Sequence, residues 1–188
     1  MNGTLAERLL DTGILQFGYF VSQNVVSPVR FCPEYLPAYP QLLAEIGQLA
    51  QLQFNTSEVD HLIVTSDSVP LGLVCSLQTD LSLVYSRGRG EAGVYDLVGS
   101  YNSGHLTAFL VNSLDDTGKI EEFIANARQV GLEIKTIVTL LEIRPINQVA
   151  GIPVHSVCQL LGIVQELLSV GRLSQGQAQA VLNWVQIA

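Results

Sequence analysis

Short apolar runs alternate with helically spaced stretches over most of the chain, the pattern of a parallel sheet covered by helices on both faces. The runs predict strands at His61–Thr65, Leu81–Tyr85, Leu106–Val111, Ile134–Glu142 and near Val154–Val157. Helical spacing predicts a helix beginning near Pro70, one over Ile120–Val130 closed by Gly131, and one over Cys158–Val170 stopped by Gly171. Ser174 with Gln177 three residues on forms a capping box for a last helix ending near Trp184.

The N-terminal third reads differently. Leu5, Leu9 and Leu10 sit at helical spacing behind Thr4, a short helix over Thr4–Asp11 that ends at Gly13. Phe17–Val29 mixes aromatic and β-branched residues up to Ser27-Pro28 and predicts strands with a turn. Pro33, Pro37 and Pro40 argue against helix until Gln41, after which Gln41–Phe54 is helical. A Gly-rich loop spans Ser86–Gly93, and no repeat or linker divides the 188 residues, so one domain is expected.

Charge sharpens the picture. Charged residues are only 14% of the chain while hydrophobic residues are 48%, which implies an unusually neutral surface covered in part by a partner, most simply a second copy. A net charge of −8 with nine basic residues offers no footprint for nucleic acid or an anionic membrane. Lys119 and Lys135 are the two lysines, a meagre supply for a polyphosphate ligand. Cys32, Cys75 and Cys158 lie far apart in apolar runs and read as buried reduced thiols, hence a cytoplasmic protein. No apolar run reaches the roughly 18 residues of a membrane span, and the N-terminus shows no export signal.

The segment of greatest chemical interest is His105–Lys119. An apolar strand ending in a short polar loop that opens a helix places backbone N–H groups where a phosphate can sit. Asp116, Thr117, Gly118 and Lys119 are the phosphate-binding candidates there, joined by Arg87 and Arg89 of the Gly-rich loop. The competing reading makes Asp116 or Thr117 a plain helix cap, with Glu121 and Glu122 in the first turn, and the flanking aspartates favour it. Arg87 and Arg89 equally suit a solvated turn. His61, His105 and His155 read as structural residues without a companion at metal or dyad spacing, so no metal ligands are expected. No hydrolase elbow, paired Cys-x-x-Cys or dinucleotide fingerprint occurs.

Leu10–Phe20 followed by Ser27-Pro28, Gly99–Lys119, Gly151–Val157, Leu160-Leu161 and Ser174–Gln177 together resemble the orotate phosphoribosyltransferases, in that order and over nearly the whole chain. The resemblance implies an α/β fold of the type I phosphoribosyltransferase kind, a parallel sheet flanked by helices with a small N-terminal hood. It implies a single domain over 1–188, with hood and first helices in 1–55, core sheet in 56–145 and C-terminal strand and helices in 146–188. It also implies a homodimer and a site for phosphoribosyl pyrophosphate or a nucleotide.

The family's catalytic motifs carry over less completely. Its strand ends in Val-Asp-Asp-Val before a Thr-Thr-Gly loop, where this chain has Val111-Asn112-Ser113-Leu114 and then Asp115-Asp116-Thr117-Gly118. Moving the register to make Asp115-Asp116 the acidic pair leaves too short a phosphate loop. The glycine and lysine of the pyrophosphate loop are replaced by Ser66-Asp67-Ser68-Val69-Pro70, the basic flexible loop shortens to Arg87-Gly88-Arg89-Gly90-Glu91, and Ser22-Gln23 stand where a lysine is expected. Such groups neutralise departing pyrophosphate and support charge on the ribose, and losing one costs about 10²–10³ in rate. The expectation is a catalytically eroded protein acting through protein binding or as a scaffold. Its alternatives are an active enzyme that joins phosphoribosyl pyrophosphate to a base such as orotate, with Asp115 or Asp116 serving ribose and Mg²⁺ and Arg87 and Arg89 meeting pyrophosphate, or a nucleotide or phosphate sensor.

Overall fold

The structure is a computed structural model and describes residues 3–22, 25–88 and 96–187. Its contacts form two compact units, Leu43–Val157 and the pairing of Met1–Leu42 with Cys158–Ala188.

The first unit is built on a seven-stranded, mostly parallel sheet. Its strands are β3 (His61–Val64), β4 (Ser82–Ser86), β5 (Leu97–Val98), β6 (Leu106–Ser113), β7 (Glu133–Glu142), β8 (Gln148–Val149) and β9 (Ile152–Gln159), in spatial order β5-β4-β3-β6-β7-β9-β8. β3 runs parallel to both β4 and β6, and β6 parallel to β7, while the two-residue strands β5 and β8 pair antiparallel with β4 and β9. All four residues of β3 and six consecutive residues of β6 are buried, which is why these segments read as continuous apolar runs. Helix α3 (Val69–Thr79) packs on β3, β4 and β6, and α4 (Thr117–Gln129) packs on β7. Phe109 of β6 stacks on Phe123 of α4 with ring centroids 4.8 Å apart, at the heart of the core. Gly72 lets α3 approach closely, because a Cβ there would lie 2.5 Å from a Val64 methyl.

The second unit holds α1 (Leu5–Asp11), the antiparallel pair β1 (Leu15–Ser22) and β2 (Val25–Phe31), and the helices α5 (Leu160–Ser169) and α6 (Gln175–Ile187). Thr4 and Glu7 close a reciprocal capping box on α1, and Ser174 and Gln177 do the same at the start of α6. Asp11 pairs with Arg172. Pro28 sits inside β2, where a two-stranded ribbon leaves an edge that needs no N–H donor.

Several boundaries differ from the pattern. The proline-rich stretch forms a 3₁₀ helix over Pro33–Ala38, since proline suits a first turn whose N–H groups go unused, and α2 begins on Pro40 for the same reason (Pro40–Gln51). α4 starts at Thr117, three residues ahead of Ile120, so Glu121 and Glu122 fall beyond its first turn. Cys158 belongs to β9 rather than to α5 and is half-buried, whereas Cys32 and Cys75 are buried; none forms a disulfide. Burial pushes the Cys75 and Cys158 thiols up to about 12. No described helix is long and apolar enough to cross a membrane. His61 and His105 do have companions: they face each other, at a separation of 44 residues that gave no sequence signal.

Candidate functional site

In a parallel sheet the carboxyl ends of the strands are where loops open and ligands bind. Here that edge gathers the ends of β3, β6 and β7 with the N-terminus of α4. β6 delivers Asn112, 4% exposed, and a buried amide must find partners. Its Nδ2 donates to the Asp67 carbonyl at 2.8 Å, and its backbone N–H donates to the Ser68 hydroxyl at 3.0 Å. The side chain standing where a ribose-binding carboxylate would be expected is therefore a staple between β6 and the loop after β3. That loop is closed further by the Thr65 hydroxyl, which donates to the Asp67 carboxylate at 2.5 Å, and by Ser68 Oγ, 3.0 Å from Thr65 Oγ1.

The helix N-terminus is equally self-contained. The Asp116 carboxylate caps α4 by accepting the Lys119 N–H at 3.2 Å, and its second oxygen lies 3.1 Å from Lys119 Nζ. The Lys119 N–H foremost, and then the Lys119 ammonium, hold the Asp116 carboxyl below the usual carboxylate range, with the Gly118 N–H adding to them. These are the N–H groups a phosphate oxygen would seek, and the chain's own carboxylate occupies them. Asp115 accepts the Ser113 hydroxyl at 3.0 Å.

Two cavities open beside these residues. One, of about 360 Å³, is lined by Thr65, Asp67, Asn112, Asp115, Asp116 and Lys119 among others. The second, of about 240 Å³, is lined by Leu114, Asp115, Thr117, Ile143, Arg144 and Pro145, with Ile146. Asp115 belongs to both. The first cavity sets three carboxylates against one ammonium that is already paired, so its field opposes an anion. Glu142 shapes the wall of the second by accepting the Ile146 N–H and the Ser156 hydroxyl, both at 3.0 Å. Nothing in the sequence singled it out, because the bonds bridge residues with no shared motif.

The remaining site residues divide. Thr117 and Gly118 form the exposed first turn of α4 beside Lys119. Arg87 lies on neither cavity; its backbone N–H donates to the Asp96 carbonyl at 3.0 Å, and Arg89 falls outside the described residues. Gly88, at φ +66°, brings the start of that loop against the loop after β3, where a Cβ would lie 2.6 Å from Ser66 Oγ. Of the four expected departures from the phosphoribosyltransferase pattern, Gln23 also lies outside the described residues.

Mg²⁺ is the cofactor the resemblance implies, and the donors here do not suit it. Asp116 is committed to Lys119, Asp115 to Ser113, and Asp67 to Thr65, while Asn112 has turned its amide to the backbone. Among the described residues no three His, Cys, Asp or Glu side chains converge as metal ligands.

No protein-family profile and no curated protein sequence matches this chain. Solved structures do. The UMP synthase of Leishmania donovani superposes with a TM-score of 0.81 at 20% identity, covering 97% of this chain and 41% of that one, so the chain spans about two-fifths of that protein's length. The orotate phosphoribosyltransferase of Francisella tularensis superposes with a TM-score of 0.72 at 18% identity, covering 96% of each chain. That of Mycobacterium tuberculosis, in complex with 5-phospho-α-D-ribosyl 1-diphosphate, gives 0.62 at 14% identity over 85% of this chain and 96% of that one. The chain has the fold of these enzymes, the type I phosphoribosyltransferase fold.

Proposed function

We propose that this chain is an orotate-phosphoribosyltransferase-like domain over residues 1–188 that has lost catalysis and acts by binding protein, as a homodimer or scaffold. The observation that carries the reading is Asp116, whose carboxylate fills the helix N-terminus in place of a ligand phosphate. Asn112 supports it, since an amide donating to a backbone carbonyl offers a ribose hydroxyl no negative charge. So does Asp67, which brings a carboxylate to the loop where pyrophosphate would lie.

The surface supports the protein-binding half. α3 has no charged residue from Val69 to Thr79, and its outer face exposes Leu73 and Leu77 while Leu71, Gly72 and Cys75 face inward. An uncharged helix that turns two leucines outward suits a face that a partner covers. In the other unit the β1–β2 ribbon exposes Tyr19, Val21, Val25 and Val26.

Calorimetric titration with phosphoribosyl pyrophosphate and Mg²⁺ tests the site. No heat up to millimolar ligand is expected, which means binding weaker than about −4 kcal/mol. Micromolar binding lost in Lys119→Ala would overturn the reading in favour of an active phosphoribosyltransferase, or of a nucleotide sensor if no turnover accompanies it. Sedimentation of the Leu73→Glu, Leu77→Glu double variant tests the face: a dimer in the parent chain and a monomer in the variant is the expected pair of results.

A further inference from the structure

The opposite edge of the sheet, where the strands begin, carries two imidazoles in contact. His61 opens β3 and is 7% exposed, and His105 immediately precedes β6. His61 Nε2 and His105 Nδ1 are hydrogen-bonded, with ring centroids 4.5 Å apart. The Asn102 N–H also points at His105 Nδ1, at 3.3 Å. His61 Nδ1 is buried and has no partner.

These bonds fix the protons. Since Asn102 donates to His105 Nδ1, that nitrogen is an acceptor, so the hydrogen shared with His61 must sit on His61 Nε2. His61 Nδ1 is then a bare lone pair in the interior, which is tolerable; a proton there would be a buried cation without an acceptor. A proton on His105 Nδ1 would instead end the Asn102 bond, and would keep the His61 bond only by moving the His61 proton to the buried Nδ1, where it has no acceptor. Each place for a second proton breaks the arrangement.

We propose that the His61–His105 pair is an acid-sensitive latch that holds the 102–105 turn against the beginning of β3 when both rings are neutral and releases it on protonation. Other bonds on the turn run to β7 and the residues just before it, Gly104 N–H to the Gly131 carbonyl at 2.6 Å and Glu133 N–H to the His105 carbonyl at 2.9 Å, while the Asp60 N–H donates to the Leu106 carbonyl at 2.7 Å and holds the strand beginnings themselves. The groups acting on His61 are named readily. Burial lowers its pKa most, His105 lowers it further, and Asp60 opposes them. Asp60 is itself engaged, its carboxylate accepting the Leu106 N–H at 2.9 Å. From the flanking strands, Ser82 of β4 and Thr107 of β6 lie in register with His61 and carry no charge.

The sign follows. A folded-state pKa below that of the unfolded chain means the stabilisation is present above the ordinary histidine value of about 6.5 and is lost as pH falls from there through the folded value. One proton excluded by the fold lowers the folding equilibrium constant by up to about tenfold per pH unit across that window.

The test is an NMR titration of the ring Cε1–H signals of the whole chain, folded and in concentrated urea, beside urea unfolding of the chain and of His61→Gln from about pH 8 to about pH 5. Glutamine keeps a donor in reach of His105 and cannot take up a proton. The expected results are a lower midpoint for His61 in the fold than in urea, a flatter pH dependence in the variant, and a protection factor at Asn102, taken against the intrinsic exchange rate at each pH, that falls on acidification more in the parent chain. A folded midpoint for His61 at or above its urea value overturns the latch, as does a variant with unchanged pH dependence. Should the variant not fold, the parent chain's His61 midpoint decides alone.

Discussion

The two ends of the central sheet handle polar groups in opposite ways. At the carboxyl end, Asp67, Asn112, Ser113, Asp115, Asp116 and Lys119 answer one another, so that donors and charges a ligand would use are met by neighbours from the chain itself. At the amino end, His61 is buried with one ring nitrogen unanswered and the other held by a single bond to His105. Polar groups that bond to one another have less to offer a ligand, whereas a buried polar atom left without a partner is costly and marks a place where an added proton changes the balance. The edge expected to carry chemistry is thus the one whose polar groups pair among themselves, and the edge with no expected role is the one with a buried ring nitrogen unpaired.

The comparison is broken most severely at Asn112. Replacing it by aspartate restores an acid to the strand end but turns a buried donor, 4% exposed, into a charge facing the Asp67 carbonyl, in a cavity whose one ammonium, Lys119, is already paired with Asp116. Asn112→Asp is expected to cost about 3 kcal/mol of folding stability, the penalty of a buried unpaired charge relieved in part by local rearrangement. Urea unfolding at neutral pH measures it; a cost below about 0.5 kcal/mol would mean the carboxyl end has room for the acid and is not closed. Ser68→Ala is the milder break. Ser68 is fully buried and accepts the Asn112 N–H, so the loss of its hydroxyl leaves that donor unanswered, at about 1–2 kcal/mol. The double variant should cost less than the sum of the two, because both changes act on one staple.

How much of this was legible in the sequence depends on the range of the interaction. β3, β6 and β7 are buried on both faces, and their continuous apolar runs named them and the sheet. Capping boxes act across three residues, so Ser174 with Gln177 was readable in advance. The Asp116 cap was readable for the same reason, as one of two competing roles. Asn112 showed as a neutral residue in an acidic position, but its bond to Asp67 spans 45 residues and no spacing rule reaches that far. The His61–His105 pair is hidden more thoroughly. Parallel strands bring together residues separated by a whole β-α-β crossover, and which of them meet depends on register. The proline-rich stretch at 33–40 misled for a local reason: proline bars the helix interior yet suits first turns, and both Pro33 and Pro40 open helices.

The gentlest way to sharpen the comparison is Asp116→Asn. Asparagine keeps an oxygen on the Lys119 N–H, so α4 stays capped, but the charge and its attraction to the Lys119 ammonium are gone. Because the carboxyl is held below its ordinary value of 3.8, its stabilising effect is present above that pH and is lost as pH falls through the folded value. The parent chain should therefore lose slightly more thermal stability than the variant between about pH 5 and about pH 3, and the two should converge at the acid end; the residue is exposed and the difference is small. The informative readout is the ligand. If charge alone kept phosphoribosyl pyrophosphate away, the asparagine variant would bind it, whereas an occupied helix N-terminus predicts that it still does not, since the amide oxygen takes the same N–H. Binding should appear first in Asp116→Gly, which leaves those N–H groups open and removes the charge together, and its absence there too would assign the exclusion to Asp67 and Asp115 across the cavity.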